Sequence, residues 1–140
     1  MNKVLFITGP TASGKTSLAI KIAKKFNGEI ISADSRAIYR GIDIASAKPS
    51  LEERDGVIHW GFDIVNVGER FTAYDYQQYA YKKIEDILSR SKLPIVIGGT
   101  GLYIDSLLYN YQFSSEPNYE LRDSLENKSL EYLVEYCNKN

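Results

Sequence analysis

Apolar residues fall in two alternating rhythms along this chain, short unbroken runs and helical repeats. Val4 to Thr8 is an apolar run closed by a glycine, the pattern of a strand buried on both faces. From Lys15 onward, Leu18, Ala19, Ile22, Ala23 and Phe26 recur at helical spacing, with Lys21, Lys24 and Lys25 on the other side. Asn27-Gly28 then stops the predicted helix with a C-terminal glycine. Glu29 to Ala33 reads as a second buried strand. Strand, helix and strand within about 30 residues form a βαβ unit, so the sheet is expected to be parallel.

Asp34 to Ser50 is a polar connection holding Gly41 and Pro49, with room for one helical turn. Trp60 to Val65 is a weaker strand candidate. Thr72 stands three residues before Asp75, the spacing of a helix N-cap. Ala73, Tyr76, Ala80, Ile84, Ile87 and Leu88 follow as one apolar face. Lys92-Leu93-Pro94 breaks the pattern, and Ile95 to Ile97 is a third buried-type strand ending in Gly98-Gly99-Thr100. Gly101 to Asn110 is predicted helical. Beyond Pro117, Leu121, Leu125, Leu130, Leu133 and Val134 are spaced for short amphipathic helices. No internal repeat or low-complexity tract interrupts the pattern.

Composition narrows the picture. The 140 residues suffice for one domain. Seventeen Lys+Arg against eighteen Asp+Glu give a net charge of −1, without the basic excess usual in nucleic-acid-binding domains. The single cysteine, Cys137, cannot close an intrachain disulfide, and there is no CxxC pair. That usage fits a reduced, cytoplasmic setting. Met1-Asn2-Lys3 leads straight into the first strand, so no leader is expected. No apolar run approaches the ~18 residues of a membrane span. The eleven tyrosines are scattered; they pack and cap surfaces, or they stack bases.

The chemistry begins at Gly9-Pro10-Thr11-Ala12-Ser13-Gly14-Lys15-Thr16, which fits G-x-x-x-x-G-K-[ST] without a gap. Its backbone N–H groups can cradle phosphate oxygens, and the following helix presents its N-terminus to the same anion. Lys15 adds a full charge, and the Thr16 hydroxyl can ligate Mg²⁺. The alternative is a glycine turn with an incidental lysine. The fold class implied is α/β, a P-loop NTPase or kinase-like parallel sheet with flanking helices.

Ligands of such sheets sit at the carboxyl ends of the strands. Asp34-Ser35-Arg36 and Gly98-Gly99-Thr100 are two further such ends, expected to converge on the phosphate loop. Asp34 can orient Mg²⁺ through water, take a proton from a nucleophile, or cap a turn. Arg36 and Arg40 can hold phosphates or stand free on the surface. Thr100 can bond a phosphate oxygen or cap the next helix. His59, the only histidine, is either packed or catalytic.

The stretches "GPTASGKTSLA", "ISADSRAIYRGIDIASAKPS" and "PIVIGGTGLYIDSLLY" occur in that order. Together they resemble the tRNA dimethylallyltransferase family, also called tRNA isopentenyltransferases, over about the first 110 residues. The resemblance implies transfer of a dimethylallyl group from dimethylallyl diphosphate to N6 of the adenosine 3′ of the anticodon. It implies that Gly9 to Thr16 bind the diphosphate, with Thr16 toward Mg²⁺. It makes Asp34 the general base, puts Thr100 near the reacting groups, and sets Asp34, Ser35, Arg36 and Ala37 against the tRNA anticodon loop. Ala37 stands where glutamine is common in that family, Ala45-Ser46 where Gly-Thr is usual, and His59-Trp60 where His-His is usual. Family members are roughly twice as long. The expected division is therefore an incomplete α/β core over residues 1–115 and the start of a helical tRNA-gripping insertion over 116–140. An N-terminal fragment working with a complementary C-terminal half is the expected arrangement. Two other readings stay open: an ATP-binding small-molecule or nucleotide kinase, and an inactive polyphosphate-binding fragment.

Overall fold

The structure, a computed structural model, describes residues 3–113 and 118–139. The expected divide at 115/116, Pro117 and the first two residues of the chain lie outside the described residues. In chain order the elements are β1 (Leu5–Thr8), α1 (Lys15–Phe26), β2 (Gly28–Ala33), β3 (His59–Trp60), α2 (Ala73–Ser89), β4 (Leu93–Gly98), α3 (Gly101–Leu108), α4 (Tyr119–Glu126) and α5 (Leu130–Lys139). The four strands form one sheet in the order β1-β4-β2-β3, and every pairing is parallel.

Strand alternation sorts the core into two layers. Ile30, Ile95 and Ile97 pack with Ala19, Ile20 and Ala23 of α1. Ile31, Ala33 and Val96 point to the opposite face, against Tyr76, Ala80, Ile84 and Ile87 of α2 and Tyr103, Ile104 and Leu107 of α3. A sheet covered on both sides needs strands without regular polar alternation, which is why β2 and β4 read as largely apolar runs. Each fully buried isoleucine contributes about 1.5–3 kcal/mol. The charged exception, Glu29, is 1% exposed and lies at the amino end of β2. It accepts from Arg90 Nη2 at 2.9 Å, Lys92 Nζ at 2.7 Å and Trp60 Nε1 at 2.8 Å. Those partners tie β2, β3 and the end of α2 together.

Several boundaries differ from the sequence reading. β1 begins at Leu5 and is half-buried rather than buried on both faces, because among the described residues it pairs on one side only, with β4. The left-handed cap of α1 is Asn27, at φ 52°, while Gly28 opens β2. The strand expected over Trp60–Val65 is two residues long. Gly61 turns the chain at φ +85°, and a Cβ there would meet the Ser32 carbonyl oxygen at 2.9 Å. Further along, an isolated parallel bridge pairs Val65 with Tyr39 rather than with β2. Conversely, Leu93 and Pro94 belong to β4 rather than breaking the chain. Leu93 N donates to Asn27 O on the β2 side, so alternation turns the Pro94 nitrogen toward β1. There the ladder begins one residue later, at Leu5–Ile95, and the missing N–H interrupts nothing.

α2 starts as expected. Thr72 Oγ1 accepts from Asp75 N at 3.2 Å, and Asp75 Oδ2 accepts from Thr72 N at 2.8 Å, a complete capping box. α4 and α5 form where the leucine spacing predicts helices, but neither buries a residue. α4 is tied down by Arg70, which pairs with Asp123 and, at 3.5 Å, with Glu126.

Candidate functional site

The carboxyl ends of β1, β2 and β4 meet at one edge of the sheet. β4 runs between the other two, with Thr8 and Ala33 both in register with Gly98. A Cβ on Gly98 would fall 2.2 Å from the Ala33 carbonyl oxygen. The strands close tightly just where Asp34 leaves the sheet. Thr100 extends this junction: its N donates to Ala33 O at 3.2 Å, and its Oγ1 accepts from Ser35 N at 3.0 Å. Thr100 occupies the N-cap position of α3, but its side chain makes no cap bond. The hydroxyl instead fastens the end of β4 to the end of β2.

Asp34 does cap a turn. Its Oδ1 accepts from Arg36 N at 2.8 Å and Ala37 N at 3.2 Å. Both bonds land on one oxygen, and neither uses Oδ2. This Asx turn fixes the carboxylate in place without consuming its whole acceptor capacity.

The phosphate loop joins β1 to α1 through Gly14, which is left-handed at φ 80°. Lys15 Nζ reaches back over the loop to Pro10 O, with Ser13 Oγ at 3.4 Å. The first turn of α1 carries no acidic side chain, so the positive end of its dipole stays uncompensated and favours an anion.

Two adjoining cavities flank Asp34. One, about 430 Å³, is lined by Ala12, Ser13, Gly14, Lys15, Thr16 and Ala37, with Lys48 and Phe62 among the facing residues. The other, about 370 Å³, is lined by Gly9, Pro10, Ser35, Arg36 and Thr100. Thr11, Asp34 and Ala47 line both. The first combines the Lys15 ammonium with the start of α1. The second is a polar recess with one guanidinium. Thr16 and Asp34 supply hard oxygen donors to the first, and among the described residues no group of three His, Cys, Asp or Glu side chains could hold a metal by itself.

Other candidates fall away from the cleft. Arg40 Nη1 donates to Asn66 Oδ1 at 2.9 Å and lines neither cavity. His59 stacks on Phe62 with ring centroids 5.8 Å apart, and its Nδ1 lies 2.9 Å from Val57 O. Its Nε2 is buried without a hydrogen-bond partner among the described residues. Burial therefore holds its pKa below the ordinary value, only partly offset by the Val57 carbonyl. Of the tyrosines, Tyr76 and Tyr103 stack in the core at 4.0 Å between centroids. Burial, followed by the nearby Tyr39, Asp75 and Asp34, raises Tyr103 to about 12.

Sequence reasoning assigned no role to Ser46, Ala47, Lys48 or Phe62, although all four line the first cavity. The Ala47-Lys48-Pro49 block stood out only as part of the resemblance.

A parallel α/β sheet with a phosphate loop at its carboxyl edge defines a P-loop, NTPase-like class of protein. The profile of the IPP transferase family matches residues 37–139, and the chain belongs to that family. It is 54% identical over 137 residues to a tRNA dimethylallyltransferase of Acetivibrio thermocellus, covering 97% of this chain and 44% of that protein. It is 49% identical to one of Oceanobacillus iheyensis, covering 94% and 41%. Among solved structures, the full-length tRNA isopentenylpyrophosphate transferase of Bacillus halodurans superposes with a TM-score of 0.80 at 38% identity, over 99% of this chain and 48% of that one. A eukaryotic dimethylallyltransferase acting on tRNA gives 0.80 at 37% identity, over 92% and 33%. The chain thus spans less than half the length of these relatives.

Proposed function

We propose that this chain is the donor-binding and catalytic portion of a tRNA dimethylallyltransferase. It acts with a complementary C-terminal half to move a dimethylallyl group from dimethylallyl diphosphate to N6 of the adenosine 3′ of the anticodon. The observation that carries this reading is the placement of Asp34 on the wall shared by an anion cavity and a polar recess. A carboxylate there faces a leaving group on one side and an acceptor on the other.

In this reading Gly9 to Thr16 hold the diphosphate, and Asp34, Ser35, Arg36 and Ala37 meet the anticodon loop. The C–O bond to diphosphate breaks as the C–N bond forms, and the diphosphate leaves with the electron pair. Lys15 and the loop N–H groups stabilise that growing charge. The exocyclic amine is a poor nucleophile because its lone pair is drawn into the ring. Asp34 takes its proton as the new bond forms, worth roughly 10²–10⁴-fold. The target base leaves the loop stack to reach the recess, as base-modifying enzymes require. Thr100 keeps the recess at the right distance by holding Ser35.

Mg²⁺ fits this donor set: one hydroxyl, Thr16, beside phosphate oxygens suits an ion that keeps most of its water. When bound, it neutralises charge on the departing diphosphate. A cytoplasmic location accords with an exposed free thiol at Cys137 and with the tRNA substrate. Among the described residues no helix is long and apolar enough to cross a membrane.

The test is transfer of labelled dimethylallyl to an anticodon-loop RNA by this chain supplemented with the C-terminal part of a relative. Label is expected on the adenosine and depends on the diphosphate donor. ATP consumption without a prenyl donor, and no label on RNA, would contradict the reading.

A further inference from the structure

Lys48 is the charged group at the cleft that the proposed chemistry leaves unused. Its side chain is 2% exposed. Its Nζ donates to Tyr39 O at 2.6 Å, Asp43 Oδ1 at 2.8 Å and Asp63 Oδ1 at 2.6 Å. An ammonium has three N–H donors, and all three are taken. Two carboxylates more than cancel its charge, so Lys48 is poorly suited to attract a phosphate although it lines the same cavity as Lys15.

What it joins is informative. Tyr39 lies just beyond the Asp34 turn, Asp43 lies midway along the connection, and Asp63 lies beyond β3. The three bonds draw the 39–48 segment into a closed ring against the chain after β3. Further bonds brace it: Arg40 N to Val65 O at 2.9 Å and Ser46 N to Ile42 O at 3.1 Å. Ser46 and Ala47, at the inner side of this ring, line both cavities opposite the phosphate loop.

We propose that Lys48 is a positioning residue: a buried latch that fixes the outer wall of the cleft, and so the spacing between the held anion and the acceptor recess. It deepens the functional reading above and rests on it for its catalytic consequence, but not for its structural one. Removing the ammonium leaves the Asp43 and Asp63 carboxylates facing each other without a cation. Their repulsion opens the segment, and the wall carrying Ala47 moves away from Asp34.

The experiment uses Lys48→Met, Lys48→Arg and the triple variant Lys48→Met with Asp43→Asn and Asp63→Asn. Hydrogen exchange on this chain is expected to speed up by about tenfold or more at Arg40 and Ser46 in Lys48→Met, with the Leu18 amide of α1 unchanged. Mg²⁺-pyrophosphate affinity stays within about twofold, while prenyl transfer in the supplemented system falls by about tenfold or more in kcat. The triple variant, relieved of repulsion, recovers part of both the protection and the transfer, and Lys48→Arg keeps most of each. Unchanged exchange at Arg40 and Ser46 would overturn the latch. So would a loss of pyrophosphate affinity matching the loss of transfer, which would make Lys48 a phosphate ligand. If Lys48→Met does not fold, Asp63→Ala alone, which removes one of the three acceptors, must still loosen Arg40 and Ser46 for the proposal to stand. If even the unaltered chain transfers no prenyl group, the functional reading falls, and exchange and pyrophosphate binding decide the latch alone.

Discussion

Single side chains at the two ends of β2 do opposite work. At the carboxyl end Asp34 is held by two backbone N–H groups on one oxygen. At the amino end Glu29 is surrounded by cations and an indole. Hydrogen bonds from Arg90 outweigh the cost of burial and, with Lys92 and Trp60, hold the Glu29 carboxyl down at about 2 against an ordinary 4.5. Its folded pKa is depressed, so the unfolded chain takes up the proton first as pH falls. Stability from Glu29 is therefore full above about 4.5 and is lost as pH drops toward about 2. Urea unfolding across that window should show the decline, and Glu29→Gln should flatten it while lowering stability at neutral pH. The phosphate-loop residues were legible because eight contiguous positions carry the motif. Lys48 was not, because its partners lie 5, 9 and 15 residues away in a connection without periodicity. Nothing local announces that a lysine will be buried.

Elements were legible where one residue type settles the boundary. Thr72 and Asp75 mark the start of α2 because each satisfies the other's free backbone donor. Thr72→Ala should cost about 1 kcal/mol, read as a lower urea midpoint. The effect reaches the site because α2 carries Tyr76, which stacks on Tyr103 of α3, the helix that follows Thr100. Two elements were misread for related reasons. Trp60–Val65 has strand-like residues, but Gly61, packed against Ser32 where a Cβ would not fit, turns the chain out of the extended form at φ +85°. Pro94 is a breaker by composition, yet it sits where β4 has no partner on its nitrogen side. In both, a tertiary neighbour overrode local propensity.

At the scale of the molecule, the βαβ pattern foretold a parallel sheet, but not the order β1-β4-β2-β3. That order brings three strand ends together. The cleft it creates carries the central proposal, that anion cavity and proton acceptor are neighbours with separable roles. Asp34→Asn tests this most directly, because asparagine retains an oxygen able to accept from Arg36 N and Ala37 N. The turn is preserved and only the basicity is lost. In the supplemented transfer system the variant should lose roughly 10²–10⁴-fold in labelled dimethylallyl transfer, with Mg²⁺-pyrophosphate affinity within about twofold of the unaltered chain. Undiminished transfer, or a collapse of pyrophosphate affinity in step with transfer, would contradict the account.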